Sequence, residues 1–516
     1  MRVFRNEPFL DFSKKRSHDK MKEALCRVKG ELGRTYPLII GGKALYSSET
    51  FSSVNPAQKT EVIGIFQEAS EAFTEKAVEV SLKAFETWQW VSPKKRANYL
   101  IRIAALIRKK RFDLCAWLAY EAGKNWREAD GEVAEAIDFC EYYARELLRL
   151  TRPPKLAPLR QEKNKMIYIP LGVGAVITPW NFPLAILIGM TVSAIVTGNT
   201  VVVKPSEFGP SLAFQFMEMV KAVGIPDGVI NLLTGRGARV GSYLVNHPRI
   251  RFISFTGSKK VGIEISEHAA KVVPGQKWMK RVILEMGGKD GIVVDNECNL
   301  DEAVEGVVKS AFGYQGQKCS ACSRAIVDEK IYHLFVEKLL NRVKSIRPGS
   351  PDLSDSQFGP LISEAALNKA QQYIDIGKQE GQLLCGGEVN ADTGFFLDPT
   401  IFGDISPEAR LAQEEIFAPI LSIIKAKDFD DALRIANNTE YGLTGAFYTR
   451  NRKKLEKGIK TFHVGNLYVN RGCTGALVGA HPFGGFNMSG TDSKAGGPDY
   501  LFRFLQAKSI SERKTS

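Results

Sequence analysis

From about residue 165 onward, short apolar β-rich runs alternate with stretches of helical period: MIYIPLGVGAVIT, PLAILIGMTVSAIVTG, TVVVKP, a helix from 211, VINLLTG, a helix from 238, and IRFISFTG. Runs that are apolar at nearly every position suit strands buried on both faces, and their alternation with helices predicts a parallel sheet covered on both sides. A second alternating region spans about 290 to 470. It begins at GIVVD, carries a helix around Leu300 to Phe312, and continues through ILSIIKAKDFDDALRIANN to an AFYT strand. Between the two lies RVILEMGGKDG, whose paired glycines suit a domain junction. Residues 71 to 150 read differently, with the amphipathic helical period dominant from EAFTEKAVEVSLKAFETW to EVAEAIDFCEYYARELLRL.

The uncharged stretch FPLAILIGMTVSAIVTGNTVVV, residues 182 to 203, reaches the length of a bilayer span. Pro183 near its start and Gly198-Asn199 before a β-branched run divide it into a buried helix, a turn and a buried strand, so no membrane association is expected. The chain of 516 residues exceeds what one hydrophobic core organises, since cores stop growing at roughly 250–300 residues. Two or more domains follow, and a hydrophobic content of 44% with 25% charged residues is that of a globular protein.

The net charge is +13, from 70 Lys and Arg against 57 Asp and Glu. It bears on steering and solubility rather than on fold. The densest basic clusters, Lys14-Lys15-Arg16 and Arg108-Lys109-Lys110-Arg111, lack interleaved aromatics or a zinc-finger spacing, so they read as solvated helix faces and not as a nucleic-acid surface. Eight scattered cysteines suggest free thiols in a reducing compartment. The opening MRVFRNEPFLDFSKKRSHDK has neither the apolar core of a secretory signal nor the composition of a transit peptide, and a cytoplasmic location is expected.

No complete GxGxxG stands at the first strand-helix unit, where Gly172-Val173-Gly174 is only a fragment. The unit TVVVKPSEFGP instead places Lys204, Pro205, Ser206 and Glu207 at the carboxyl end of a buried strand, where open α/β sheets bind ligands. An ammonium and a carboxylate there can hold the hydroxyls of an adenosine ribose. The acidic group would repel a 2′-phosphate, which favours NAD over NADP. In FISFTGSKKVG, Gly257 and Ser258 end a strand and open a helix whose dipole favours a pyrophosphate.

The segment FGYQGQKCSACSR packs glycines and two cysteines into a polar turn. A catalytic thiol must ionise, and Lys318 and Arg324 are expected to lower the pKa of Cys319. Cys319-x-x-Cys322 also matches half a zinc site or a dithiol redox pair, although no second ligand pair with metal spacing occurs. In LEMGGK, flanking glycines allow close approach to Glu285, and an apolar strand would raise its carboxyl pKa into the range of a general base. In TPWNFP, the Asn181 amide can donate to an oxyanion without titrating.

PWNFP, KPSE, FTGS, LEMGGK, GQKC, EEIFAP and PFGG occur in the order found in the aldehyde dehydrogenase superfamily, and from about residue 40 to 505 the chain resembles it. The resemblance implies an α/β fold with a Rossmann-type cofactor domain (1–145 and 171–286), an α/β catalytic domain (287–480) and a small β oligomerisation element (146–170 and 495–516). It also implies at least a homodimer, or a dimer-based hexamer. It assigns Cys319 as nucleophile, Glu285 as general base, and Asn181 with the Cys319 backbone N–H as the oxyanion hole. Ile177, Pro179, Trp180, Lys204, Ser206, Glu207, Gly257 and Ser258 would contact NAD, with Glu415 on the nicotinamide ribose and Phe417 nearby. Lys289 would be structural or on the cofactor side.

EPFLDFS, GQKCSACSR and CTGALVGAHPFGG further resemble the branch of the superfamily that oxidises L-glutamate γ-semialdehyde, the open form of 1-pyrroline-5-carboxylate. That resemblance implies an anchor for the substrate α-carboxylate from Ser320 and the backbone N–H groups of Gly475 and Ala476. Phe182 and Phe483 would be walls for the aliphatic chain. Other readings are a dehydrogenase for another small aldehyde such as succinate semialdehyde, a CoA-acylating enzyme, and a non-catalytic protein that keeps the fold.

Overall fold

The computed structural model describes residues 3–514, so Met1, Arg2, Thr515 and Ser516 of the proposed terminal segments lie outside the described residues. Two seven-stranded sheets organise the chain. The first runs in the order Arg281–Glu285, Phe252–Thr256, Val173–Ile177, Thr200–Lys204, Ile230–Leu232, Leu38–Ile40 and Lys43–Leu45. Its first five strands are parallel, and the last two are added antiparallel. The second runs Gln382–Cys385, Thr400–Gly403, Ile420–Ala426, Cys322–Asp328, Asp290–Val294, Thr444–Tyr448 and Asn466–Val469, parallel throughout except for its first, antiparallel edge strand.

In the first sheet the chain steps outward from Val173–Ile177 through Thr200–Lys204 to Ile230–Leu232, then returns to the other side at Phe252–Thr256. The reversal between Val173–Ile177 and Phe252–Thr256 opens a crevice at the carboxyl ends of the strands. Strand Val173–Ile177 is buried at every position, as its uninterrupted apolar sequence requires. Gly174 is glycine for packing: a Cβ there would stand 2.1 Å from the Phe252 ring.

The apolar run beginning at Met166 is one β-rich segment by sequence but two strands in the fold. Glu162–Pro170 alternates exposed and half-buried positions over most of its length and pairs antiparallel with Leu505–Arg513 in a separate two-stranded ribbon. Pro170 has no N–H to continue a ladder, and Gly172 at φ +139° redirects the chain into the sheet. The stretch from 182 to 203 divides as its sequence predicts, into a helix Ala185–Val196, a turn at Gly198 (φ +99°) and the strand Thr200–Lys204. Among the described residues no helix is long and apolar enough to cross a membrane.

Helices Glu71–Trp88, Pro93–Lys109, Arg111–Ala122 and Trp126–Leu150 form the layer expected between 71 and 150. Buried Arg96 donates from Nε to the Val196 carbonyl (2.8 Å), and Trp88 Nε1 donates to Ile195 (3.0 Å). These bonds satisfy carbonyls that the last turn of helix Ala185–Val196 leaves without intrahelical partners. The two arginines of the basic cluster at 108–111 are paired within the chain. Arg111 pairs with Asp130 at 2.6 Å, and Arg108 pairs with Glu7 and Glu141, both at 2.9 Å. The amino-terminal EPFLDFS segment is pinned alongside, its Glu7 and Leu10 N–H groups donating to Asp138 and Asp130 at 2.7 Å. The strands at 38–45, the helix Lys15–Lys29 and a three-stranded sheet of Arg34–Tyr36, Gln58–Gln67 and Thr50–Asn55 complete the amino-terminal region.

Gly174→Ala is expected to force the Phe252 ring or the strand aside and to cost about 1–3 kcal/mol, as overpacking of a filled core does. A lower midpoint in chemical denaturation checks this, and an unchanged midpoint contradicts the packing account of this glycine.

Candidate active site

The carboxyl edge of the first sheet meets the amino edge of the second. Glu285 ends the edge strand of one sheet, and five residues later Asp290 begins an interior strand of the other. Cys319 lies just before the strand Cys322–Asp328, and Glu415 and Phe417 just before Ile420–Ala426. From the first sheet, Ile177 leads into Thr178, Pro179, Trp180, Asn181 and Phe182. Contacts close the seam. The Trp180 and Phe417 rings meet edge to face at 5.5 Å, and Phe417 holds a left-handed backbone (φ +64°). A Cβ on Gly287 would overlap the Glu415 carboxylate, and one on Gly288 would stand 2.5 Å from the Cys319 carbonyl oxygen.

On the first sheet's side, Lys204 is buried, and its Nζ donates to the carbonyls of Pro205 (2.8 Å) and Gly235 (2.9 Å). Two of its three donors are thereby used, which leaves one for a ligand. Burial pushes its pKa down, opposed by Glu207 and Glu68. Glu207 is half-buried, and the Ser206 hydroxyl accepts from Phe208 N at 3.3 Å within its own turn. Ser258 caps helix Lys259–Ala270 by accepting from Val261 N at 3.4 Å, and Gly257 packs over the Phe255 ring. The backbone N–H groups of that helix's first turn open onto the crevice, a fitting place for a pyrophosphate.

Glu415 Oε1 accepts from Gly288 N at 3.1 Å. Burial pushes its carboxyl pKa up against the pull of Lys369, Lys289 and Lys259. Lys289 is buried with no hydrogen-bond partner for its ammonium among the described residues. Burial, with Arg324 nearby, brings its pKa down to about 7.

The expected electropositive setting of Cys319 is corrected. Arg324 is fully buried and donates to the carbonyls of Lys289 (3.0 Å), Ile435 (3.2 Å) and Ala436 (2.9 Å). Lys318 lies toward Gly313 and the Glu128 carboxylate. The charges felt by the thiol are instead Asp290, Glu415 and Glu285, and burial together with these carboxylates pushes the Cys319 pKa up. Cys322 is also separated from it. Its buried Sγ lies 3.5 Å from the Arg324 carbonyl and against the Cys473 thiol, and all eight cysteines are free. Among the described residues no group of three His, Cys, Asp or Glu could hold a metal ion.

The Asn181 amide is buried and donates to the Gln317 carbonyl at 3.1 Å, which joins its loop to the cysteine loop. Ser320 is buried, and its carbonyl accepts from Cys473 Sγ at 3.4 Å, which ties the cysteine loop to the CTGALVG segment. Gly475 in that segment has φ +77° and is exposed, with Ala476 half-buried beside it. Phe182 packs edge to face on Tyr314 at 6.2 Å. Phe483 is held by reciprocal 2.8 Å backbone bonds with Ala495.

Burial brings the Glu285 pKa up to about 8, against hydrogen bonding from Ser493 and the charge of Lys494. Ser493 Oγ donates to Oε1, and Oε2 has no hydrogen-bond partner among the described residues. The segment supplying Ser493 is stitched to the Glu285 strand by Thr491 N to Leu284 O (3.0 Å) and Met286 N to Ser489 O (2.8 Å). Sequence reasoning missed Ser493, Lys494 and Asp290. The signal available for Ser493 and Lys494 was the polar run NMSGTDSK one residue after PFGG.

The aldehyde dehydrogenase family model matches residues 45–510. A 1-pyrroline-5-carboxylate dehydrogenase of Geobacillus sp. (strain WCH70) is 54% identical over 509 residues, 99% of each chain. The crystal structure of 1-pyrroline-5-carboxylate dehydrogenase from Thermus with bound NAD superposes with a TM-score of 0.98 at 48% identity, covering 100% of both chains. A betaine aldehyde dehydrogenase from Staphylococcus aureus, in complex with NAD+, gives 0.88 at 28% identity, over 94% of this chain and 95% of that one. With seven ordered motifs converging on one seam and the family model spanning nearly the whole chain, the protein belongs to the aldehyde dehydrogenase family.

Proposed function

We propose that the protein oxidises L-glutamate γ-semialdehyde, the open form of 1-pyrroline-5-carboxylate, to L-glutamate with NAD as the oxidant. The observation that carries this reading is the seam itself, where a half-buried thiol and a near-neutral carboxyl, Cys319 and Glu285, lie between a dinucleotide crevice and the CTGALVG loop. Full-length identity of 54% to a 1-pyrroline-5-carboxylate dehydrogenase, against 28% to the betaine aldehyde enzyme, supports the amino-acid aldehyde over a generic one.

Residues on the crevice fit the dinucleotide: the free donor of Lys204 and the carboxylate of Glu207 for the adenosine ribose, the helix start at Ser258 for the pyrophosphate, and Glu415 for the nicotinamide ribose. When bound, NAD supplies the hydride acceptor and, through its positively charged ring, an electrostatic partner for the Cys319 thiolate amid three carboxylates. The thiolate adds to the aldehyde carbon to form a thiohemiacetal, whose oxyanion accepts hydrogen bonds from the Asn181 amide and the Cys319 N–H. Loss of hydride from that carbon leaves a thioester. Glu285 takes a proton from water, the hydroxide adds to the acyl carbon, and the C–S bond breaks to release glutamate and the thiolate. Ser320, Gly475 and Ala476 hold the α-carboxylate, while Phe182 and Phe483 flank the methylene chain. Residues 1–145 and 171–286 form the cofactor unit, and 287–480 the catalytic unit. The ribbon of Glu162–Pro170 and Leu505–Arg513 serves assembly into a homodimer or a dimer-based hexamer in the cytoplasm.

Cys319→Ala should abolish NADH formation from pyrroline-5-carboxylate while NAD binding by calorimetry stays intact, and near-full turnover would sink the mechanism. Asn181→Ala should lower kcat by about 10²–10³. Glu285 acts as a base only when ionised, and its pKa is brought up to about 8, so thioester hydrolysis should accelerate as pH rises through about 8. Glu285→Gln should erase that limb of the pH–rate profile, and a limb that persists would assign the base elsewhere.

A further inference from the structure

Lys124 belongs to none of the motifs above, yet its ammonium lies between two parts of the seam. It follows the carboxyl cap of helix Arg111–Ala122, where Gly123 turns the chain at φ +68°. Its side chain is 1% exposed, its Nζ stands 2.6 Å from Glu132 Oε2, and Glu132 is itself fully buried. That contact is an ion pair whose angle falls outside hydrogen-bond geometry. The same Nζ sits 3.6 Å from the centroid of the Phe182 ring and 4.3 Å from that of Tyr314, a cation between two aromatic faces.

Both rings lead directly to reacting groups. Phe182 adjoins Asn181, and the other oxygen of Glu132 accepts from Leu184 N (2.8 Å) and Ala185 N (3.1 Å), which fixes the chain on the far side of Phe182. Tyr314 opens the cysteine loop in a left-handed backbone (φ 49°), as does Gln315 (φ 54°). Tyr314 is held by its hydroxyl to the Ala122 carbonyl (2.9 Å) and by its N–H to Glu128 (2.5 Å). Its own carbonyl accepts from Gln317 N at 2.9 Å, and Gln317 O in turn accepts from the Asn181 amide at 3.1 Å. The path from Lys124 therefore closes through both loops.

We propose that Lys124 is a positioning residue, whose buried ammonium, paired with Glu132, locks the Phe182 and Tyr314 rings and so sets the Asn181 donor and the apolar substrate wall relative to Cys319. The inference rests on the reading of Asn181 and Phe182 given above. A cation in this place orients two rings at once because both present their negative faces to it. An aliphatic side chain of similar volume would fill the space without fixing the ring planes.

The test is a double-mutant cycle on the full-length protein, combining Lys124→Met with Phe182→Leu, with Lys124→Met/Glu132→Gln as the charge-balanced variant. NAD affinity by calorimetry, melting temperature, and kcat and KM for pyrroline-5-carboxylate are read for each. The expected result is unchanged NAD affinity, a kcat lowered by about 10²-fold in the charge-balanced variant, as small misplacements of a site produce, and losses for Lys124→Met and Phe182→Leu that are clearly less than additive. Additive losses, an unchanged kcat, or failure of the charge-balanced variant to fold would each overturn the proposal, the last by making the pair a core strut. If Asn181→Ala retained full activity, the underlying reading would fail. If it lost activity while the cycle was additive, only this inference would fail.

Discussion

The structure depends on one constraint: the carboxyl ends of one sheet's strands must abut the amino ends of the other's, and the short stretch between Glu285 and Asp290 carries the chain from one sheet to the other. The carboxyl ends of one set of parallel strands face the amino ends of the other, and the backbone at Gly287 and Gly288 passes so close to Glu415 and Cys319 that neither position has room for a Cβ. A side chain at Gly288 would push on the Cys319 backbone and shift the cysteine loop, and one at Gly287 would displace the Glu415 carboxylate. The paired glycines are thus a condition of the site's geometry as much as of the chain's path.

Burial at that seam sets the chemistry. It brings the Glu285 carboxyl up to about 8 and Lys289 down to about 7 and pushes the Cys319 thiol up, which favours the neutral form of each group. A thiol surrounded by Asp290, Glu415 and Glu285 ionises readily only when positive charge arrives beside it. Under the proposed mechanism, an oxidised nicotinamide held in the crevice would be such a charge, and activation of the thiol would then follow the arrival of the oxidant. A general base with a raised pKa suits the later step, because it accepts a proton from water near the pH at which it titrates.

Much of this was legible in sequence because it is local. Continuous apolar runs at 173–177 and 200–204 gave buried strands, and Gly198 divided the one segment long enough to span a membrane. What escaped was set by long-range pairing. The strand Glu162–Pro170 looks like a continuation of its neighbour, and only its partner at 505–513 takes it away from the sheet. Ser493 is some 200 residues from the Glu285 carboxyl it bonds, and Lys124 is nearly as far from the Tyr314 ring it touches. Lys318 and Arg324 misled for the same reason. Sequence neighbours of a thiol need not be its electrostatic neighbours, and here Arg324 is engaged by three backbone carbonyls instead.

The central claim is that Cys319 alone carries the acyl group, and it is tested most directly by trapping. Glu285→Gln is mixed with NAD and pyrroline-5-carboxylate, quenched in acid, digested and analysed by mass spectrometry. The account predicts a glutamyl thioester on the peptide containing Cys319, formed in step with one equivalent of NADH and absent when NAD is omitted. An unmodified Cys319, or acylation of Cys322 or Cys473 in its place, would contradict it.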